Sequence, residues 1–147
     1  MKAKAYLEQI AIMDSKITMG IEEIENLRVL AEKTTSTLGD DRVQSSGSQQ
    51  KMEDCIVRIC DLEAKLAKDI DAYIDYKKEA RELICAVCDA DCITLLHSRY
   101  FLNKTWEKIA VEMNYSYKWV SGGLHQRALS QLQKGLDDGK DNIHNGI

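Results

Sequence analysis

Apolar residues recur at alternating steps of four and three along most of the first ninety positions. From Tyr6 the series runs through Ile10, Met13, Ile17, Gly20, Ile24 and Leu27 to Ala31. A second series runs Met52, Ile56, Ile59, Glu63, Leu66, Ile70, Tyr73, Lys77, Ala80, Ile84 and Val87, interrupted by its two charged members. Heptad spacing places one narrow apolar stripe on a helix, the seam of a coiled coil. Between the two series, Thr34 to Ser48 is rich in Ser, Thr, Gly and Asp, a composition that predicts a loop at about 33–50. Two helices of similar length on either side of one loop fold back most simply as a long antiparallel hairpin, with arms of roughly 40–55 Å at 1.5 Å per residue. A parallel pairing of each helix with its own copy satisfies the same pattern. The core of a two-helix hairpin is thin, so self-association, with a homodimer as the simplest form, is expected to cover the remainder.

Beyond residue 88 the pattern shortens. Asp91 can cap a third helix carrying Ile93, Leu95, Leu96 and Tyr100, and Asn103-Lys104 makes a turn. Thr105 can cap a short helix through Met113, and after Asn114-Tyr115 Ser116 can cap another, carrying Val120, Leu124, Leu129 and Leu132. The expected division is therefore a helical hairpin over 1–88, a helical module over 89–136 and a frayed tail over 137–147. The fold class is all-α. The complete absence of proline fits long helices, which proline would break.

Charge adds a second asymmetry. Residues 1–92 carry thirteen Lys/Arg against nineteen Asp/Glu, whereas 93–136 carry six Lys/Arg against Glu107 and Glu112 alone. A basic segment within a chain of net charge −4 suggests that this segment meets a polyanion. No apolar run reaches the ~20 residues of a membrane span, and Met1 to Gln9 is too polar for a signal-peptide core. Five cysteines, an odd number without an export signal, predict reduced thiols and a cytoplasmic location.

Within the basic segment, Ala110, Asn114 and Val120 have the types and spacing of a helix-turn-helix. The first helix needs a small residue where the helices cross, the turn needs a residue that tolerates positive φ, and the second helix needs a branched apolar anchor. An ordinary helical pair in a bundle meets the same description. The run Leu95 to Ala110, with Met113-Asn114-Tyr115-Ser116 and Arg127-Ala128-Leu129-Ser130-Gln131-Leu132, resembles region 4 of sigma-70 factors over about 40 residues. The whole chain also resembles small proteins of phages and prophages of Gram-positive bacteria, which share the heptad-rich first half and an Asp41-Arg42-Val43-Gln44-Ser45-Ser46 segment. That resemblance implies a sigma-like helix-turn-helix acting as a phage-type transcriptional regulator on double-stranded promoter DNA, with RNA polymerase as a further partner. One departure stands out: between Val120 and the Arg-Ala-Leu ending there is one residue more than in sigma domains, and Gly122-Gly123 falls inside the recognition helix. The helix is expected to bulge, kink or stop there.

On this reading Tyr117, Lys118 and Ser121 face base edges, with Gly122 at the rim, while Lys104, Thr105, Lys108, Ser116 and Arg127 face phosphates. Trp119 is expected to pack against the hairpin or third helix, with DNA contact as the other role; His125 is a packing residue or a phosphate contact. Cys85, Cys88 and Cys92, with His97 and His125, offer zinc ligands. Cys55, Cys60, Cys85 and Cys88 each adjoin a stripe position, however, so buried structural thiols without metal or cofactor are the expectation. No nucleophile elbow, phosphate-binding glycine loop or metalloprotease motif is present, so no catalytic residues and no enzyme activity are expected. Two other roles stay open: a protein–protein adaptor that contacts polymerase or another phage component without DNA, and a DNA-packaging component resembling a small terminase subunit.

Overall fold

The computed structural model describes residues 1–40 and 46–144, and every regular element among them is helical. Helix α1 spans Ala3–Asp40 and α2 spans Ser46–Cys85. Short α3 (Ala90–Leu96) passes directly into a π-helical turn, His97–Phe101. Helix α4 (Trp106–Met113) follows, then a second π-helical turn, Trp119–Leu124, that continues into α5 (His125–His144). The all-α class therefore holds.

The expected loop at 33–50 is largely helix. Helix α1 continues to Asp40 and α2 begins at Ser46, leaving 41–45, most of the Asp41–Ser46 segment, outside the described residues. Thr34 illustrates why composition misled: its hydroxyl donates to the Leu30 carbonyl at 2.9 Å, a back-bond that accommodates threonine within a helix. Ser and Thr disfavour helix by only tenths of a kcal/mol, too little to end one. At the other terminus, the residues expected to fray from 137 onward continue α5 to His144.

The chain divides into two compact units, and the division is not the expected one. The larger combines Met1–Ile12 with Ile74–Ile147, and the other is Met13–Tyr73. Heptad spacing marks which residues share a helix face but does not say which partner covers each stretch of it.

In the larger unit, Ala3, Tyr6, Leu7 and Ile10 from the start of α1 and Ala80, Ile84 and Val87 from the end of α2 are buried. They share the core with Cys92, Leu95, Leu96, Ile109, Ala110, Val120, Leu124, Ala128 and Leu132. Full burial of a Leu or Ile stabilises by about 1.5–3 kcal/mol, so this set supplies most of the unit's driving force. Polar links also join the segments. The Ala3 N–H, an orphan donor in the first turn of α1, donates to Gln133 Oε1 at 2.7 Å. The Tyr76 hydroxyl donates to the Tyr6 carbonyl at 2.7 Å.

The two-helix unit is thinner. Ile24 is buried, whereas the other stripe positions Met13, Ile17, Gly20, Leu27, Ile59, Leu66, Ile70 and Tyr73 are half-buried, because one neighbouring helix covers only part of each side chain. Gly20 lies against Leu66, where an added Cβ would sit 3.2 Å from Cδ1. Arg28 pairs with Glu63, and Arg58 with Glu23 at 3.1 Å. Glu63, an interruption in the stripe, thus sits at its edge as a salt-bridge acceptor. Ile56 departs from the pattern and is 47% exposed.

Candidate nucleic-acid interface

Thr105 caps α4: its backbone is extended and its Oγ1 accepts the Lys108 N–H at 3.2 Å. The helix buries Ile109 and Ala110 and ends at Asn114, which adopts the left-handed conformation with φ 59° and ψ 37°. The Asn114 N–H donates to Val111 and the Tyr115 N–H to Ala110, the paired bonds of a Schellman C-cap. Asparagine tolerates this conformation better than any other residue except glycine. The Tyr115 hydroxyl donates to Asp91 Oδ2 at 2.7 Å, linking the turn to the start of α3, and this bond pushes the phenol's pKa up.

Ser116 then caps the following helix, its Oγ accepting the Trp119 N–H at 3.2 Å. Val120 and Leu124 anchor that helix, both essentially fully buried. The extra residue at Gly122-Gly123 neither stops the helix nor splits it. The backbone widens into the π-helical turn Trp119–Leu124 and resumes α-helical geometry at His125. A π turn takes up one surplus residue while keeping the flanking faces in phase, so Val120, Leu124 and Ala128 all still point to the core. Gly123 has a further reason to be glycine. The Trp119 indole lies over its Cα, and an added Cβ would overlap the ring. Trp119 therefore packs on its own helix, and it remains 42% exposed.

The expected base-facing residues separate into two environments. Tyr117 and Lys118 are exposed on the first turn of this helix. The Ser121 hydroxyl donates to the Tyr117 carbonyl at 2.8 Å, and its side chain lines a cleft shared with α1. Of the expected phosphate contacts, Lys108 is exposed, while Thr105 and Ser116 use their hydroxyl oxygens as caps. Lys104 is paired with Glu112 at 2.8 Å, and that hydrogen bond, reinforced by the charges of Lys104 and Lys108, holds the Glu112 carboxyl below the usual range. Arg127 pairs with Asp89 Oδ2 at 2.7 Å. Asp89, not Asp91, is the cap of α3, its Oδ1 accepting from the N–H groups of Asp91 and Cys92.

Two further residues, His125 and Arg99, organise the back of this region. His125 is buried, with Nε2 2.7 Å from the Tyr100 hydroxyl and its ring edge-on to Trp106. Desolvation lowers its pKa, and the charges of Lys4 and Arg99 lower it further, which favours the neutral ring in this packed position. Arg99 stacks its guanidinium 4.4 Å from the Trp106 ring and donates to the Lys104 carbonyl at 3.0 Å. No local spacing links Tyr100 to His125, which are 25 residues apart, and only the fold pairs them.

The cysteines are less uniformly buried than their positions beside the stripe implied. Cys92 lies in the core, where burial pushes its thiol pKa up; Cys55 is half-buried, and Cys60, Cys85 and Cys88 are exposed. Among the described residues no three His, Cys, Asp or Glu side chains gather as a metal site. Among the described residues no helix is long and apolar enough to cross a membrane. No family model, characterised protein or solved structure matches this chain.

Proposed function

We propose that the chain is a DNA-binding transcriptional regulator whose α4, Asn114 turn and following helix work as a sigma-like helix-turn-helix on double-stranded promoter DNA. The observation that supports this most directly is the orientation of the second helix. It is anchored from below by Val120 and Leu124, while Tyr117 and Lys118 on its first turn are exposed. Such an end fits a major groove, where Lys118 can donate to guanine O6 and N7 and Tyr117 can contact a thymine methyl. Lys108 contributes charge for phosphates, which add affinity without sequence information. Self-association as a homodimer fits the two-helix unit, which leaves Met19, Ile21, Val29, Leu30, Ile56 and Val57 exposed while burying Ile24. Contact with RNA polymerase rests on the sigma resemblance.

Fluorescence anisotropy with duplex DNA at several salt concentrations tests the reading. Binding should weaken with salt at a slope of a few units, and Lys108→Ala should lower affinity on all sequences alike. Lack of binding at about 50 mM salt would overturn it. A second reading, an adaptor that contacts protein and not DNA, draws support from exposed Val111, Tyr117 and Trp119 on the same two helices, with Val111 78% exposed. The same absence of DNA binding would favour it.

A further inference from the structure

The two π-helical turns meet at one place. Arg99 and Tyr100 from the first, and Ser121 from the second with His125 and Gln126 just beyond it, line a single cleft of about 600 Å³ in the larger unit. Lys4, Leu7, Glu8 and Ala11 of α1 form the opposite wall, and Asn103 and Trp106 complete it. π-Helical turns make up well under 1% of residues in folded proteins and occur disproportionately at functional sites. The second turn keeps Val120 and Leu124 in the core, and together the two turns present Arg99, Tyr100 and Ser121 to one cleft. The volume lies within the range of small-molecule sites.

We propose that this cleft is a binding site for a small organic phosphate, distinct from the surface that carries Tyr117 and Lys118. Charge and hydrogen-bonding capacity define the ligand class. Lys4 and Arg99 bring two cations to the cleft against one carboxylate, Glu8, whose Oε1 lies 3.9 Å from Lys4 Nζ. Arg99 is fixed in place by its stack on Trp106 and by one N–H on the Lys104 carbonyl, which leaves further guanidinium donors for an anion. Asn103 and Gln126 add neutral donors, and Asn103 is held at φ 53°. The His125 ring senses these charges: beside burial, Lys4 and Arg99 push its pKa down while Glu8 pulls it up. The apolar part of a ligand would meet Leu7, Ala11 and the Trp106 ring.

The proposal does not depend on DNA binding, and its test keeps the two apart. The full chain is titrated with AMP while the His125 ring signals are followed by NMR, with inorganic phosphate as a competitor. Saturable shifts are expected, together with a rise in the apparent pKa of His125, because a bound anion favours the imidazolium. Phosphate should displace AMP. Lys4→Gln, at a solvent-exposed side chain outside the core, should weaken AMP binding on the order of tenfold, a loss of about 1.4 kcal/mol. Lys118→Ala should leave it unchanged. No saturable shift at about 10 mM AMP, weaker than the millimolar range of specific small-ligand binding, would overturn the proposal. A response that Lys4→Gln leaves intact would overturn it equally.

Discussion

The Tyr100 hydroxyl and His125 Nε2 lie 2.7 Å apart within the larger unit, a neutral hydrogen bond between residues on the two π-helical turns' junctions with the rest of the fold. Tyr100 is held protonated, its pKa pushed up to about 12 chiefly by burial. Because the folded pKa of His125 lies below its ordinary value of 6.5, the unfolded chain binds the proton more readily. Stability from this group is therefore complete above about pH 6.5 and declines as pH falls toward the folded pKa. Thermal melts from pH 7.5 to 5.5 should show Tm falling by a few degrees, and His125→Gln should flatten that dependence. A wild-type Tm constant across the window contradicts the assignment.

Adjacent glycines should respond oppositely to alanine. Nothing lies within 4 Å of a Cβ added at Gly122, so Gly122→Ala should stabilise by about 0.5–1 kcal/mol through helix propensity. At Gly123 the Trp119 indole occupies the space, and Gly123→Ala should destabilise by about 1–2 kcal/mol or expel the ring. Urea denaturation together with a red shift of tryptophan emission in the second variant checks both.

Asn114 gives a conformational test of the turn. Asn114→Gly should be neutral within about 0.5 kcal/mol, because glycine adopts φ 59° freely, while Asn114→Val should cost about 1–2 kcal/mol or more. Equal losses in both would point to the asparagine side chain instead of the backbone.

Glu112 pairs with the expected phosphate contact Lys104 and also senses the charge of Lys108. If DNA approaches this side, Glu112→Gln should tighten binding several-fold at low salt and steepen the salt slope by up to about one unit. Anisotropy with a fixed duplex measures this. Unchanged affinity would place the phosphates elsewhere.

In the two-helix unit, burial should outweigh charge. Ile24→Ala should cost at least about 2 kcal/mol, whereas Arg28→Ala, which breaks an exposed pair with Glu63, should cost under about 1 kcal/mol. Circular dichroism melts of the two variants, ranked against wild type, decide the order.

Local chemistry made much of this molecule readable from its residues. The heptad stripe identified the faces that are least exposed on both long helices, since that periodicity is a property of any helix with one apolar side. The caps at Thr105 and Ser116 and the left-handed turn at Asn114 were readable for the same reason: each depends on a side chain and backbone groups within a few positions. Even the surplus residue near Gly122 announced a distortion, although not its form. Other features depended on distant partners. Tertiary packing joined the first twelve residues to the last half of the chain, and assigned Asp89 at once to the cap of α3 and to Arg127. It turned Ser121 toward the cleft and converted one extra residue into a π turn. Those outcomes depend on which side chains, separated by tens of residues, compete for the same space and the same hydrogen bonds. That competition is settled only when the chain has folded.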